Sequence, residues 1–167
     1  GLNISVTQLL KGDLIGQTLR VIKETGIAPE CLKLEITENV MMNNAKAMVP
    51  LLNSLKKTGI CLAVDDFGTG YSSLSYLQEF PFDTLKIDRS FTRKLGVNNG
   101  KNTKIIQTIL SLASHLDMNV IAEGIENQIQ LEKLQELNCR YGQGFYFSEP
   151  LELDQLMIWN AKTQRIS

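Results

Sequence analysis

The feature that most restricts this 167-residue chain is a repeated alternation: a short apolar run followed by a longer amphipathic stretch, six times over. Short apolar runs suit strands buried on both faces, and the long stretches between them suit helices that carry the chain back to start the next strand in the same direction. The alternation therefore predicts an α/β fold with a parallel sheet. The strand candidates are Leu2 to Ser5, Leu32 to Ile36, Cys61 to Val64, Thr84 to Ile87, Val120 to Ala122 and Gly144 to Phe147. Between them, Ala45 to Lys57 repeats Ala45, Met48, Val49, Leu52 and Leu55 at helical spacing, with Gly59 as a stop signal. Asn102 to Leu116 places Ile105, Ile106, Ile109, Leu112, Ala113 and Leu116 on one side. Both stripes read as core. Leu95 to Asn102, with Gly96, Asn98, Asn99 and Gly100, reads as a mobile loop. No internal repeat interrupts the pattern, so residues 1–167 are expected to form a single domain.

Composition narrows the function. Seventeen basic against eighteen acidic side chains leave a net charge of -1, so no basic field exists to hold long nucleic acid by its backbone. A small phosphorylated ligand remains compatible. Cys31, Cys61 and Cys139 are odd in number, widely spaced and never paired as CxxC, which argues against a disulfide framework or a zinc cluster and for reduced core thiols. No apolar run approaches the roughly 18 residues of a membrane span. A cytoplasmic domain is expected, with membrane attachment of a parent protein left open.

The polar residues that stand out cluster at or just beyond the predicted strand ends. Asn3 lies in the first strand, Glu35 and Glu38 at the end of the second, Asp65 and Asp66 after the third, Lys86 and Asp88 at the fourth, Glu123 after the fifth, and Gln143 before the sixth. In parallel α/β barrels the loops after the strands converge on one face, so these groups can meet around one ligand. Carboxylates and one amide make an all-oxygen site, suited to magnesium or manganese and not to zinc. Adjacent Asp65 and Asp66 cannot point the same way on a strand, but in an irregular turn they can engage two neighbouring ions. The following Gly68, Thr69 and Gly70 permit a tight loop directly after the two acids. An ordinary turn with a helix cap is the alternative for that loop, and a snorkelling surface lysine is the alternative for Lys86. A Lys86 facing the acids would be pulled down in pKa by burial and up by the carboxylates. His115, the only histidine and without a ligand-spaced partner, reads as a helix-side residue.

These residues resemble, in order, the motifs of the EAL family of cyclic di-GMP phosphodiesterases. Asn3-Ile4-Ser5 is similar to the family's Asn-Leu-Ser, Leu34 to Glu38 to its Glu-Leu-Thr-Glu, and Asp65 to Ser73 to its Asp-Asp-Phe-Gly-Thr-Gly-Tyr-Ser-Ser loop. Leu85 to Asp88, Ile121 to Glu126 and Gly142 to Gly144 continue the match through Leu-Lys-Ile-Asp, Ala-Glu-Gly-Val-Glu and Gly-Gln-Gly elements. The resemblance implies a TIM-barrel-like fold that hydrolyses cyclic di-GMP to the linear dinucleotide pGpG with two magnesium or manganese ions, calcium being inhibitory. It assigns Asn3, Glu35 and Asp65 to one ion, with Asp65 bridging to a second held by Asp66 and Glu123. Lys86 would orient the attacking water, with Gln143 nearby, and Glu38 would anchor the loop from Asp65 to Ser73. It also implies a homodimer and a parent protein with sensory or diguanylate cyclase domains. The family's Glu-Ala-Leu motif is expected on a strand upstream of Asn3, so the chain is expected to hold about six of eight strands, truncated at its N-terminal side. That absence sustains an alternative, a non-catalytic cyclic di-GMP receptor or scaffold. A more distant alternative uses Lys86 as the Schiff-base lysine of an aldolase-like barrel.

Overall fold

The computed structural model of the chain describes residues 1–43, 45–70, 74–96 and 100–163. Six parallel strands lie side by side in the order in which the chain makes them: β1 (Leu2–Asn3), β2 (Lys33–Thr37), β3 (Cys61–Phe67), β4 (Thr84–Ile87), β5 (Asn119–Ala122) and β6 (Tyr141–Gly142). Strictly consecutive order means that every crossover advances the sheet in the same direction, as in a barrel. The crossovers are α1 (Val6–Lys11), α2 (Leu14–Thr25), α3 (Glu38–Asn43), α4 (Ala45–Lys56), α5 (Leu74–Glu79), α6 (Arg89–Thr92), α7 (Lys101–His115) and α8 (Gln128–Glu136), and α9 (Leu153–Thr163) follows β6.

The period-2 alternation of each strand sorts its side chains onto two faces. Leu34, Ile36, Leu62, Val64, Leu85, Ile87, Val120 and Ala122 are buried in one cluster with Met48, Leu52 and Leu55 of α4, Leu77 of α5, and Ile106, Ile109 and Ala113 of α7. The helical stripes read from the sequence are thus core, and α4 and α7 end within one residue of the expected bounds. The opposite face follows from register. Asn3 pairs with Glu35, Glu35 with Ala63, Ala63 with Thr84, Lys86 with Ile121 and Ile121 with Tyr141. Stepping two residues along each strand then puts Asn3, Glu35, Asp65, Lys86, Glu123 and Gln143 on the same face.

Three expectations change. The third strand runs on to Phe67, so Asp65 and Asp66 lie inside it rather than after it. Between Val64↔Leu85 and Phe67↔Ile87, β3 advances three residues while β4 advances two, which is a β-bulge. Asp66 is the kinked residue, at φ 54°. The sixth strand is Tyr141–Gly142, not Gly144 to Phe147. Gly144 lies directly against the backbone of Ile125, where a Cβ would collide, and the Tyr146 N–H donates to the Ile125 carbonyl at 2.9 Å, so the aromatic run turns instead of extending. Gln143 accordingly follows β6. Finally, Cys31 is exposed at the end of the short 3₁₀ turn Pro29–Cys31 and is no core thiol, whereas Cys61 and Cys139 are partly buried; all three are free. Part of the expected mobile loop, residues 97–99, lies outside the described residues, as do Tyr71, Ser72 and Ser73 of the glycine loop.

Candidate metal centre

Lys86 is the middle of the site. It sits in β4, flanked by Leu85 and Ile87, both 0% exposed, and is itself only 4% exposed. An ammonium there must have every hydrogen engaged. Its Nζ meets Glu35 Oε2 at 2.6 Å, Glu123 Oε1 at 2.7 Å and Asp65 Oδ1 at 3.0 Å, one acceptor for each hydrogen. Burial alone would push the ammonium's pKa down, but hydrogen bonds to Glu123, Glu35 and Asp65 outweigh it and hold the group above the ordinary lysine range. Lys86 is therefore no snorkelling surface lysine. A group held protonated this firmly is also a poor amine nucleophile, which weighs against the Schiff-base alternative.

The carboxylates respond to the same surroundings. Burial raises the Glu123 carboxyl above its usual range, with Lys86 offsetting part of the rise. Asp66 is raised by burial and by the neighbouring charges of Asp65 and Asp88, against the opposing pull of Lys86 and Arg89. Like charges crowded in a partly dry site are what a bound cation relieves. Asp65, Asp66 and Glu123 can each bring one oxygen within 4.8 Å of the others. The bulge makes this possible, because an unkinked strand would send Asp66 to the helix-covered face. A carboxylate-only set, with no thiolate or imidazole among these three, fits a hard divalent cation. Glu35 joins through Lys86, and Asn3 stands beside Glu35 on the exposed edge strand β1.

Glu38, at the start of α3, is fully buried. Its Oε2 accepts from the backbone N–H groups of Gly68, at 2.7 Å, and Gly70, at 3.3 Å. The turn is closed locally as well: the Asp66 carbonyl accepts from the Thr69 N–H at 3.3 Å and from its hydroxyl at 2.9 Å. Gly70 has no room for a side chain, since a Cβ would come within 2.9 Å of Glu38 Oε1. Asp88 caps α6, its Oδ1 accepting from the Ser90 N–H at 2.9 Å. Gln143 donates its N–H to the Ala122 carbonyl and accepts from the Ile125 N–H, which ties it to the Glu123 loop. His115 is exposed on α7, its Nδ1 2.7 Å from the Ser111 carbonyl, and has no part in the site.

Sequence reasoning did not single out Arg89, Arg93 or Phe145, which with Glu123, Glu126 and Gln143 line a cavity of about 190 Å³ beside the carboxylates. Arg89 directly follows the Leu-Lys-Ile-Asp run, and that adjacency was the available signal. Arg93 gave none, because its role depends on pairing with Glu126, thirty-three residues away.

The family and the fold are shared with known proteins. The EAL domain family model matches residues 1–150. The chain is 40% identical over 154 residues to the cyclic di-GMP phosphodiesterase NbdA of Pseudomonas aeruginosa, covering 92% of this chain and 20% of NbdA. Among solved structures, the PaMucR phosphodiesterase in complex with c-di-GMP superposes with a TM-score of 0.87 at 36% identity, covering 92% of this chain and 62% of that one. Klebsiella pneumoniae BlrP1, in a manganese and cyclic di-GMP complex, gives 0.82 at 30% identity, covering 89% and 38%. The chain spans about a fifth to a quarter of the length of the curated relatives it matches first.

Proposed function

This chain belongs to the EAL domain family, and from that premise we propose that it is the catalytic part of a cyclic di-GMP phosphodiesterase that hydrolyses its substrate to linear pGpG. The single observation that carries the proposal is the convergence of Asp65, Asp66 and Glu123, with Lys86 bonded to two of them and to Glu35. The naming of NbdA as a phosphodiesterase and the c-di-GMP complex of PaMucR support the choice of substrate.

In this reading Asn3, Glu35 and Asp65 would hold one ion, and Asp65, Asp66 and Glu123 would hold a second. Magnesium or manganese bound there would activate a water for attack and neutralise charge on the phosphate. Calcium, larger and looser in its coordination, would occupy the site without supporting turnover. The three carboxylates favour the ammonium form of Lys86, which suits it to donate rather than to act as a base. In the metal-free chain its three hydrogens gather Glu35, Asp65 and Glu123; with those oxygens engaged by cations, a freed hydrogen would orient the attacking water. Glu38 holds the Gly68 to Gly70 turn so that Asp66 stays in its kinked conformation, and Gln143 faces the ligand beside Glu123. Homodimerisation, and work alongside sensory or diguanylate cyclase segments, belong to the same proposal; the relatives' greater length supports the second.

The test is chromatographic detection of pGpG after the chain is incubated with cyclic di-GMP and manganese, with Asp65→Ala as control. Product that disappears in the control is the expected result. Binding of cyclic di-GMP without product, in a chain that takes up manganese, would overturn catalysis by this chain in favour of a receptor.

A further inference from the structure

The short helix α6 touches the turn that directly follows Asp65 and Asp66 of β3 and the loop that carries Glu123, and it does so at two glycines in left-handed conformation. Gly68, in the loop after β3, has φ 95°, and a Cβ there would lie 2.8 Å from Cε2 of the Phe91 ring. Gly124, in the loop after β5, has φ 69°, and a Cβ there would overlap the Cβ of Arg89. Each loop thus presses bare backbone onto α6, from opposite sides, where any side chain would force them apart. A third contact locks the second side: Arg93, the C-cap of α6, donates from Nε at 3.1 Å and from Nη2 at 2.8 Å to Glu126 Oε1. Glu126 is held in turn, because its N–H donates at 2.7 Å to Oε1 of Gln130, which is 4% exposed. On the first side the partner of Phe91 is the same Gly68 whose N–H is bonded to buried Glu38.

We propose that α6 is a brace, in which Phe91 and Arg93 are positioning residues that set the β3 loop against the β5 loop and so fix the separation of Asp65 and Asp66 from Glu123. The consequence for metal binding rests on the function proposed above; the brace itself belongs to the metal-free chain. A short, rigid spacer suits this task, because a carboxylate cluster binds a cation tightly only where its members are held at a fixed distance before the ion arrives. Asp88 anchors the spacer at its other end by capping it, two residues after Lys86 on β4.

The experiment uses Arg93→Ala, the charge-swapped pair Arg93→Glu with Glu126→Arg, and Phe91→Leu in the full chain. Amide hydrogen exchange is followed without metal, and manganese uptake is followed by the EPR signal of free Mn²⁺. Arg93 and Glu126 are exposed, so Arg93→Ala is expected to melt within about 4 °C of the unmodified chain. Exchange is expected to rise several-fold not only at Gly124 to Glu126 but also at Gly68 and Gly70, across the helix. Manganese affinity is expected to fall about 10-fold, as for other residues that support metal ligands. The charge swap should restore both, and Phe91→Leu should loosen both loops from the other side. Faster exchange confined to Gly124 to Glu126 after Arg93→Ala, and confined to Gly68 and Gly70 after Phe91→Leu, would overturn the brace. A chain that takes up no manganese would overturn the metal reading alone, and the exchange pattern would still decide the brace.

Discussion

Lys86 is the residue on which the site's electrostatics turn, since one buried ammonium is shared by three carboxylates. Replacing it with methionine keeps most of the stem volume and removes the charge. We expect Lys86→Met to cost the metal-free protein about 3–5 kcal/mol at pH 7, the usual penalty for stranding buried charge, in urea denaturation. The pH dependence follows from the direction of each shift. The folded-state pKa of Lys86 lies above its unfolded value of about 10.4, so its contribution is complete below that pH and is lost as pH rises through the folded value. The variant lacks that alkaline loss. Burial raises the Glu123 carboxyl, so as the pH falls towards 4 it takes up its proton, and the deficit of Lys86→Met should shrink. An equal deficit at pH 4 and pH 7 would mean that lost packing, not stranded charge, is responsible.

At the scale of elements, the bulge in β3 does what a regular strand cannot, bringing two adjacent aspartates to one site. Asp66 occupies a left-handed conformation, which Asn tolerates and β-branched residues do not. Asp66→Asn should therefore keep the melting temperature while weakening manganese binding, and Asp66→Val should lose about 1–2 kcal/mol of stability as well. Calorimetry beside a metal titration separates the two effects; a stability loss in Asp66→Asn matching that of Asp66→Val would show that the charge, not the backbone, sets the cost. The bulge also marks a limit of reading the sequence. Asp65-Asp66 followed by Gly68 and Gly70 signalled irregular backbone, and the turn was expected to begin after the strand. Pairing with β4 decides otherwise, because Phe67 still meets Ile87 and buries its ring, 5% exposed, in the core. The aromatic run Phe145 to Phe147 misled in the opposite sense: its strand-like composition yields to the close approach of Gly144 to Ile125.

Across the whole molecule, one face of the sheet is apolar and sealed by helices, and the other carries the charged cluster along consecutive strands. β1 and β6 end the sheet, with Leu2 exposed at one side and Tyr141 and Phe145 at the other. Among the described residues no helix is long and apolar enough to cross a membrane. Because the carboxylates are drawn from β2, β3 and the loop after β5, a cation bound among them ties distant parts of the chain together and stabilises only the folded form. Magnesium or manganese at about 100 times the dissociation constant should add about 2.7 kcal/mol to the unfolding free energy, reversed by EDTA. A melting temperature indifferent to both ions would remove the metal from the folded state's energetics.

The sequence by itself determined the parallel α/β class, the count of six strand-and-helix units, the apolar helical stripes and the candidate residues of the charged cluster, because each is written in local periodicity or in a contiguous motif. Only the tertiary structure decided how those residues meet. That Lys86 has three carboxylate partners, that Asp66 is kinked, that Gln143 follows its strand, and that Arg93 reaches Glu126 all depend on strand register and on backbones packed closer than a side chain would allow. Such relations join positions tens of residues apart, and local pattern carries no record of them.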